Sequence, residues 1–353
     1  MIRVVRSGRA RDHVPGAEIW LGTRTPGTEV PERIDAIEAA LDDWPMVEAL
    51  AHDDEVLLRV HDARLVEHVR TVWERWAEYG ADRVVPYLFP TPGLLGELPL
   101  REPTAVHGAA GMFGFDTMTL IGPGTWEAAR GAIDVALTCV DAVGDGVIYG
   151  LTRPPGHHVT RAAYGGSCYL NNAAVAAEAL RRAGHERVAI VDIDAHHGNG
   201  TQDIFYARAD VLYASLHVDP GAGWFPHYMG FADEAGVGDG LGANVNLPLA
   251  PGTADGPWLE AVRVLVDRVD DFGATALVVS LGVDAAADDP ESPLEITQDG
   301  YHAAGVLLGV LGLPTVALQE GGYHLPTLGS LVRATLEGLD WPGNARARGL
   351  GGP

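Results

Sequence analysis

The stretch VDIDAHHGNG, residues 191–200, closes one element and opens another. Residues 187–193 are apolar almost throughout, as in a strand covered on both faces, and the run stops at a cluster of acids and imidazoles. Four more runs share that character, at 146–150, 211–216, 275–281 and 314–319. Apolar residues recur with helical spacing at 126–140, 171–182, 257–269, 298–311 and 326–337, so helices are expected there. From about residue 120 onward the alternation runs without a Pro- or Ser-rich linker. It predicts an α/β fold: a single parallel sheet in a three-layer sandwich, with the active site at the C-terminal ends of the strands. On this reading residues 1–342 form one domain and 343–353 a frayed tail. Residues 80–115 carry Pro86, Pro90, Pro92, Gly93, Gly96, Pro99 and Pro103 and show no sustained period. A loop that long in a compact enzyme is expected to act as a lid, a binding loop or an interface.

Each strand end delivers chemistry. After the first run come Arg153, Pro154, Pro155, Gly156, His157 and His158, and the second ends in Asp192, Asp194, His196 and His197. The third gives Ser215, Leu216 and His217, the fourth Asp284, and the fifth Glu320 and Tyr323. Any one such His is commonly a hydrogen-bonded loop residue, and any one such Asp a helix cap. Their recurrence on every strand is what points to a site. In D-x-D-x-H, alternate residues leaving a strand face one side, so Asp194 and His196 can converge on an ion while Asp192 faces another neighbour. Asp284, from a separate strand, would complete the set. Two carboxylates and one imidazole leave room for water, as catalytic Zn²⁺ requires, and they neutralise its charge. Fe²⁺ or Co²⁺ could occupy the same ligands.

At this point the sequence resembles the arginase/deacetylase superfamily, and within it the histone deacetylase and acetylpolyamine amidohydrolase family. The tracts that carry the resemblance are RPPGHH (153–158), GGSCYLNNAA (165–174), VDIDAHHGNGTQDIFY (191–206), SLHVDPG (215–221), LGVDAAADDP (281–290) and QEGGY (319–323), with VPERIDAIEAAL (30–41) similar to the family's N-terminal helix. The resemblance implies Asp194, His196 and Asp284 as Zn²⁺ ligands. It implies His157 and His158 as the pair that holds the nucleophilic water, with His158 the general base and Asn199 its partner. Asp192 would orient the His157 ring, and Tyr323 would point its hydroxyl at the substrate carbonyl. It also implies a structural K⁺ at Asp192, Asp194, His196, Ser215 and Leu216. Arginase-like members hold two Mn²⁺ ions and need carboxylates where this chain has Gly198 and Gly282, so the resemblance favours one metal and amide hydrolysis.

Three features bear on the substrate. Asp116 matches the carboxylate that orients substrate at the family's rim, and Glu291 matches a gatekeeping Glu of a eukaryotic polyamine deacetylase. A carboxylate at 291 can pair with a secondary ammonium, although a surface Glu is commonplace in so acidic a chain. The segment 80–115 resembles the insertion that narrows the mouth and builds a homodimer in acetylpolyamine amidohydrolases. Gly166 and Ser167 on one side, and Phe225 on the other, are expected to line the substrate tunnel. The family has an aromatic residue where this chain has Ser167, so one flat apolar wall is missing and the tunnel should be wider. The expected reaction is deacetylation of acetylated polyamines or related small cationic amines. The alternatives are a protein acetyl-lysine deacetylase and, from another class, a sensor that binds metal and acyl ligand without catalysis.

Composition sets the outer bounds. Against 48 acidic residues stand 24 basic ones, a formal charge of −24, and no basic stripe is present. A polyanion bound through counterion release needs clustered basic residues, so nucleic acid is not an expected partner and cations are. All 24 basic residues are Arg. Schiff-base, pyridoxal-phosphate and Walker-type lysine chemistry is thereby excluded. Two cysteines, Cys139 and Cys168, are too few for a disulfide framework, and no apolar run reaches membrane-spanning length. The expected location is the cytoplasm.

Overall fold

Successive residues of a strand point to opposite faces, and here that alternation divides the core in two. In the strand expected at 187–193, Val188 and Ile190 join one buried cluster while Ala189 and Val191 join the other. The computed structural model describes residues 2–79 and 82–341. The expected tail, 343–353, lies outside the described residues.

The strands are β1 (Arg3–Arg6), β2 (Glu18–Trp20), β3 (Thr23–Thr25), β4 (Met46–Glu48), β5 (Val147–Gly150), β6 (Val188–Asp192), β7 (Val211–Val218), β8 (Asn244–Leu249), β9 (Ala276–Leu281) and β10 (Thr315–Gln319). Eight of them form one sheet in the order β4-β1-β5-β10-β9-β6-β7-β8, parallel at every pairing, and β2 and β3 form a separate antiparallel hairpin. All parallel strands end at the same edge, so the segments after β5, β6, β7, β9 and β10 meet there. This is the crevice where an open α/β sheet binds its ligands.

Helices cover both faces. One side carries α1 (Glu32–Ala40), α9 (Asp255–Phe272), α10 (Gln298–Gly309) and α11 (Leu325–Leu339), whose Ile37, Trp258, Leu308 and Val332 pack on Tyr149, Val191 and Val279. The other side carries α2 (Glu55–Val60), α3 (Ala63–Trp76), α5 (Val106–Phe113), α6 (Thr125–Ala142), α7 (Asn172–Arg182) and the short α8 (Asn199–Phe205). The small α4 (Pro92–Leu95) buries nothing. The fold is the three-layer parallel-sheet sandwich of the arginase/deacetylase type.

All five expected strands and all five expected helices are present, with ends shifted by up to three residues. Three sheet strands were not expected. β1 is four residues flanked by Arg, β4 is three, and the apolar run of β8 is broken by Asn244 and Asn246, which bond Gln202. The expectation of an unstructured 80–115 needs correction. Thr91 caps α4 through its hydroxyl, and α5, with sequence VHGAAGMF, is a real helix. Its glycines hide it, because glycine disfavours helix and here serves packing. A Cβ on Gly111 would lie 1.8 Å from the Leu88 carbonyl oxygen. No helix among the described residues is long and apolar enough to cross a membrane.

Candidate active site

The end of β6 places Asp192, Asp194 and His196 in the crevice, and the segment after β9 brings Asp284 across to them. Donor atoms of Asp194, His196 and Asp284 lie within 4.8 Å of one another. The His196 Nδ1 is 2.9 Å from Asp284 Oδ2 and 3.4 Å from Asp194 Oδ1. Backbone N–H groups fix both carboxylates: His196 and Gly321 donate to Asp194, and Ala195 donates to Asp284. Burial raises Asp194, but His157, His196 and a hydrogen bond to Asp284 hold it well below the usual carboxylate range. Burial and then the Asp194 charge push Asp284 up to about 7. Two buried carboxylates facing each other cannot both ionise easily, and a divalent cation would remove that conflict.

Glycines let the backbone close on these carboxylates. A Cβ on Gly282 would lie 2.1 Å from Asp194 Oδ2, and one on Gly321 would lie 2.6 Å from both carboxylates. At Gly198 a Cβ would lie 2.4 Å from Asp192 Oδ2. The donor set and its glycine cradle therefore suit one metal. The positions that would need extra carboxylates for a second are filled from outside by Asp192 and Asp194.

The tandem histidines stand beside this cluster with ring centroids 4.0 Å apart. His157 Nδ1 is 3.0 Å from Asp192 Oδ2, and the Tyr213 hydroxyl donates to the same oxygen. Burial alone would lower the His157 imidazole, but Asp192, Asp194 and Glu320 outweigh it and push it up to about 10. A cation on Asp194 would cancel part of that negative charge. His158 differs. Asn199 uses its Nδ2 on the His158 carbonyl, so its Oδ1, 2.8 Å away, faces His158 Nδ1. Nδ1 must donate, which leaves Nε2 an acceptor. Burial, then the neighbouring His157 and His196, hold His158 well below its usual value.

Tyr323 lines the same cavity, of about 420 Å³, together with His158 and His196. Burial pushes its hydroxyl well above the usual value, so it stays a proton donor. Beneath it lies a buried ion cluster without a role in the sequence reading. Arg33 sits 4.9 Å over the Tyr323 ring and donates to the Gly322 and Glu320 carbonyls, while Glu29 bridges Arg33 and Arg153. Both arginines lie in quoted tracts, Arg33 in VPERIDAIEAAL and Arg153 in RPPGHH. Removing one partner of such a cluster costs about 3–5 kcal/mol.

The mouth matches the expectations less closely. Gly166, Ser167, Phe225 and Glu291 line the cavity. Gly166 has φ +59, and a Cβ there would lie 2.3 Å from His158 Cδ2, so only glycine lets this turn close on the imidazole. Phe225 stands edge-on to His158 at 4.8 Å and stacks on Phe115 at 6.2 Å. Asp116 lies beside the 166–167 turn of the mouth. Its carboxylate accepts from the N–H groups of Gly166, Met118 and Thr119 and from the Thr119 hydroxyl, which in turn accepts from Ser167 N–H. It shapes the 166–167 turn. The hairpin supplies what the sequence reading missed, since Glu18 and Trp20 line the cavity. Ser215 and Leu216 are buried in β7, with Ser215 in register with Asp192.

A model of the histone deacetylase domain matches residues 27–339. The chain belongs to the histone deacetylase family. An acetylpolyamine amidohydrolase of Mycoplana ramosa is 40% identical to it over 91% of this chain and 95% of its own. Another, from Burkholderia pseudomallei, is 41% identical over 93% and 95%. The crystal structure of an acetylpolyamine aminohydrolase from Burkholderia pseudomallei superposes with a TM-score of 0.89 at 39% identity, covering 96% of this chain and 98% of that one. As a histone deacetylase family member, the chain is an amide-hydrolysing deacetylase, with a possible metal site at Asp194, His196 and Asp284.

Proposed function

We propose that this protein deacetylates acetylated polyamines or related small cationic amines. The observation that carries the proposal is a cavity with His158, His196 and Tyr323 at its floor and two carboxylates, Glu18 and Glu291, at its mouth. Relatives that cover nearly the whole chain are acetylpolyamine amidohydrolases. A net charge of −24 draws cationic ligands toward such a mouth.

In this reading Asp194, His196 and Asp284 would hold Zn²⁺, which supplies a Lewis acid for the amide carbonyl and lowers the pKa of water. His158, its Nε2 left as acceptor, takes a proton from the attacking water and later passes it to the leaving amine. His157, tied to Asp192, keeps its Nδ1 proton and holds the water in place. Tyr323 donates to the oxyanion as the carbonyl carbon becomes tetrahedral. Glu18 and Glu291 pair with ammonium groups further along the substrate.

We place K⁺ at Asp192, Asp194, His196, Ser215 and Leu216, supported by the adjacency of Asp192 and Ser215 on paired strands. A homodimer through 80–115 is supported by the exposed Tyr87, Leu88, Leu94, Leu98 and Leu100 of that segment. Two buried, unpaired cysteines are compatible with the cytoplasm.

The test is acetate release by the Zn²⁺-loaded enzyme from N-acetylputrescine, N8-acetylspermidine and an acetyl-lysine peptide, with Tyr323→Phe as control. Preference for the polyamines, with kcat reduced about 10²–10³-fold in the variant, is the expected result. Preference for the peptide makes this a protein deacetylase. Metal binding without acetate from any substrate makes it a sensor.

A further inference from the structure

Asp289 touches no substrate-facing space of its own, yet it holds two residues that do. It lies in the segment after β9, is 7% exposed, and accepts three backbone hydrogen bonds. Its Oδ2 takes the N–H of Tyr323 at 2.7 Å and that of His324 at 3.1 Å, while its Oδ1 takes the N–H of Glu291 at 3.0 Å. Tyr323 follows β10 and Glu291 follows β9, which are neighbours in the sheet, and both line the cavity.

A carboxylate suits this place. The N–H groups of Tyr323 and His324 lie just before α11, whose N-cap residue, His324, makes no side-chain cap bond. The positive end of a helix favours an anion, and hydrogen bonds to an ionised acceptor are the stronger kind. The other side of the Tyr323 turn is already held by Arg33, through the Gly322 and Glu320 carbonyls and the ring contact. Removing Asp289 would therefore free the turn only on the side that faces the mouth.

We infer that Asp289 is a positioning residue that locks the Tyr323 turn to the Glu291 segment, so that the oxyanion donor and the cation-pairing carboxylate are set as one unit. The inference rests on the roles proposed above for Tyr323 and Glu291. Asp289 donates nothing and contacts no reacting atom. It fixes where the Tyr323 ring leaves the backbone and how far Glu291 stands from it. A misplacement of about 1 Å in such a group can cost about 10²-fold in rate.

The experiment compares Asp289→Ala and Asp289→Asn with the wild type, each alone and combined with Glu291→Gln, on N-acetylputrescine and its uncharged analogue N-butylacetamide. Bound Zn²⁺ and the melting midpoint are measured on every variant. In Asp289→Ala, kcat should fall about 10²-fold on both substrates, while KM for the uncharged amide stays within about twofold. The preference for the charged substrate should fall to what Glu18 alone sustains, so that adding Glu291→Gln changes nothing further. Asp289→Asn keeps one acceptor oxygen and should fall between the two, and it carries the test if Asp289→Ala does not fold. A folded, Zn²⁺-loaded Asp289 variant with wild-type kcat overturns the inference, and so does an unreduced effect of Glu291→Gln in the Asp289→Ala background. Tyr323→Phe separates the two levels. If it is silent, the proposed function fails; if it is damaging while Asp289→Ala is not, this inference alone fails.

Discussion

The floor and the mouth of the cavity are built in different ways. Floor residues sit on or just after strands of one parallel sheet, and their side chains are fixed by short bonds such as Gly321 N–H to Asp194 at 2.7 Å. The mouth is assembled from segments far apart in sequence: the hairpin with Glu18 and Trp20, the turn at Gly166 and Ser167, and Glu291 after β9. On the proposed function, the floor would set which bond is broken and the mouth which amine is admitted. Substitutions on the floor should therefore cut rate on every substrate, and substitutions at the mouth should change preference.

The largest effect is expected for His158→Ala. Losing the acceptor Nε2 should lower kcat about 10²–10⁴-fold on charged and uncharged amides alike. A loss restricted to charged substrates would break the division between floor and mouth. Asp192→Asn should cost less, about 10–100-fold, because it removes the charge that orients and raises His157 and leaves the reacting groups in place. Steady-state kinetics with bound metal measured in parallel checks both.

The smallest effect is a pH dependence at the mouth. Burial, with Glu291 and Asp116 adding to it and the Thr28 N–H opposing, pushes the Glu18 carboxyl up to about 7. A raised carboxyl is neutral below that value and charged above it, so about a tenth of it is ionised at pH 6 and about nine tenths at pH 8. The substrate ammonium stays charged throughout. The ratio of kcat/KM for N-acetylputrescine to that for N-butylacetamide should rise several-fold between pH 6 and 8, and Glu18→Gln should flatten it. A ratio independent of pH in the wild type would remove Glu18 from substrate pairing.

The same division explains what was legible in the sequence. Floor residues announce themselves locally, since period-two alternation places Asp194 and His196 together and the apolar runs of β5, β6, β9 and β10 mark where to look. Asp284 follows β9, which pairs with β6 in the sheet. Glu18 and Trp20 at the mouth have no local signature, because nothing near them indicates that they fold beside residue 291. The bonds of Asp116 are legible only in part, since Thr119 lies three residues on but the Gly166 N–H comes from a distant turn. The helix at Val106–Phe113 was hidden by glycines that the packing against Leu88 demands. The buried Glu29, Arg33 and Arg153 cluster is tertiary in the same sense, since residues 29 and 153 meet only in the fold.

A single metal held by Asp194, His196 and Asp284 would serve the amide hydrolase. The most direct measurement is titration of the chelator-treated protein with Zn²⁺, following bound metal and acetate release from N8-acetylspermidine in parallel. The account predicts that activity rises in proportion to bound metal, reaches its plateau at one ion per chain, and is absent together with the bound ion in Asp284→Ala. Activity that survives metal removal, or a plateau reached only at two ions per chain, would contradict it.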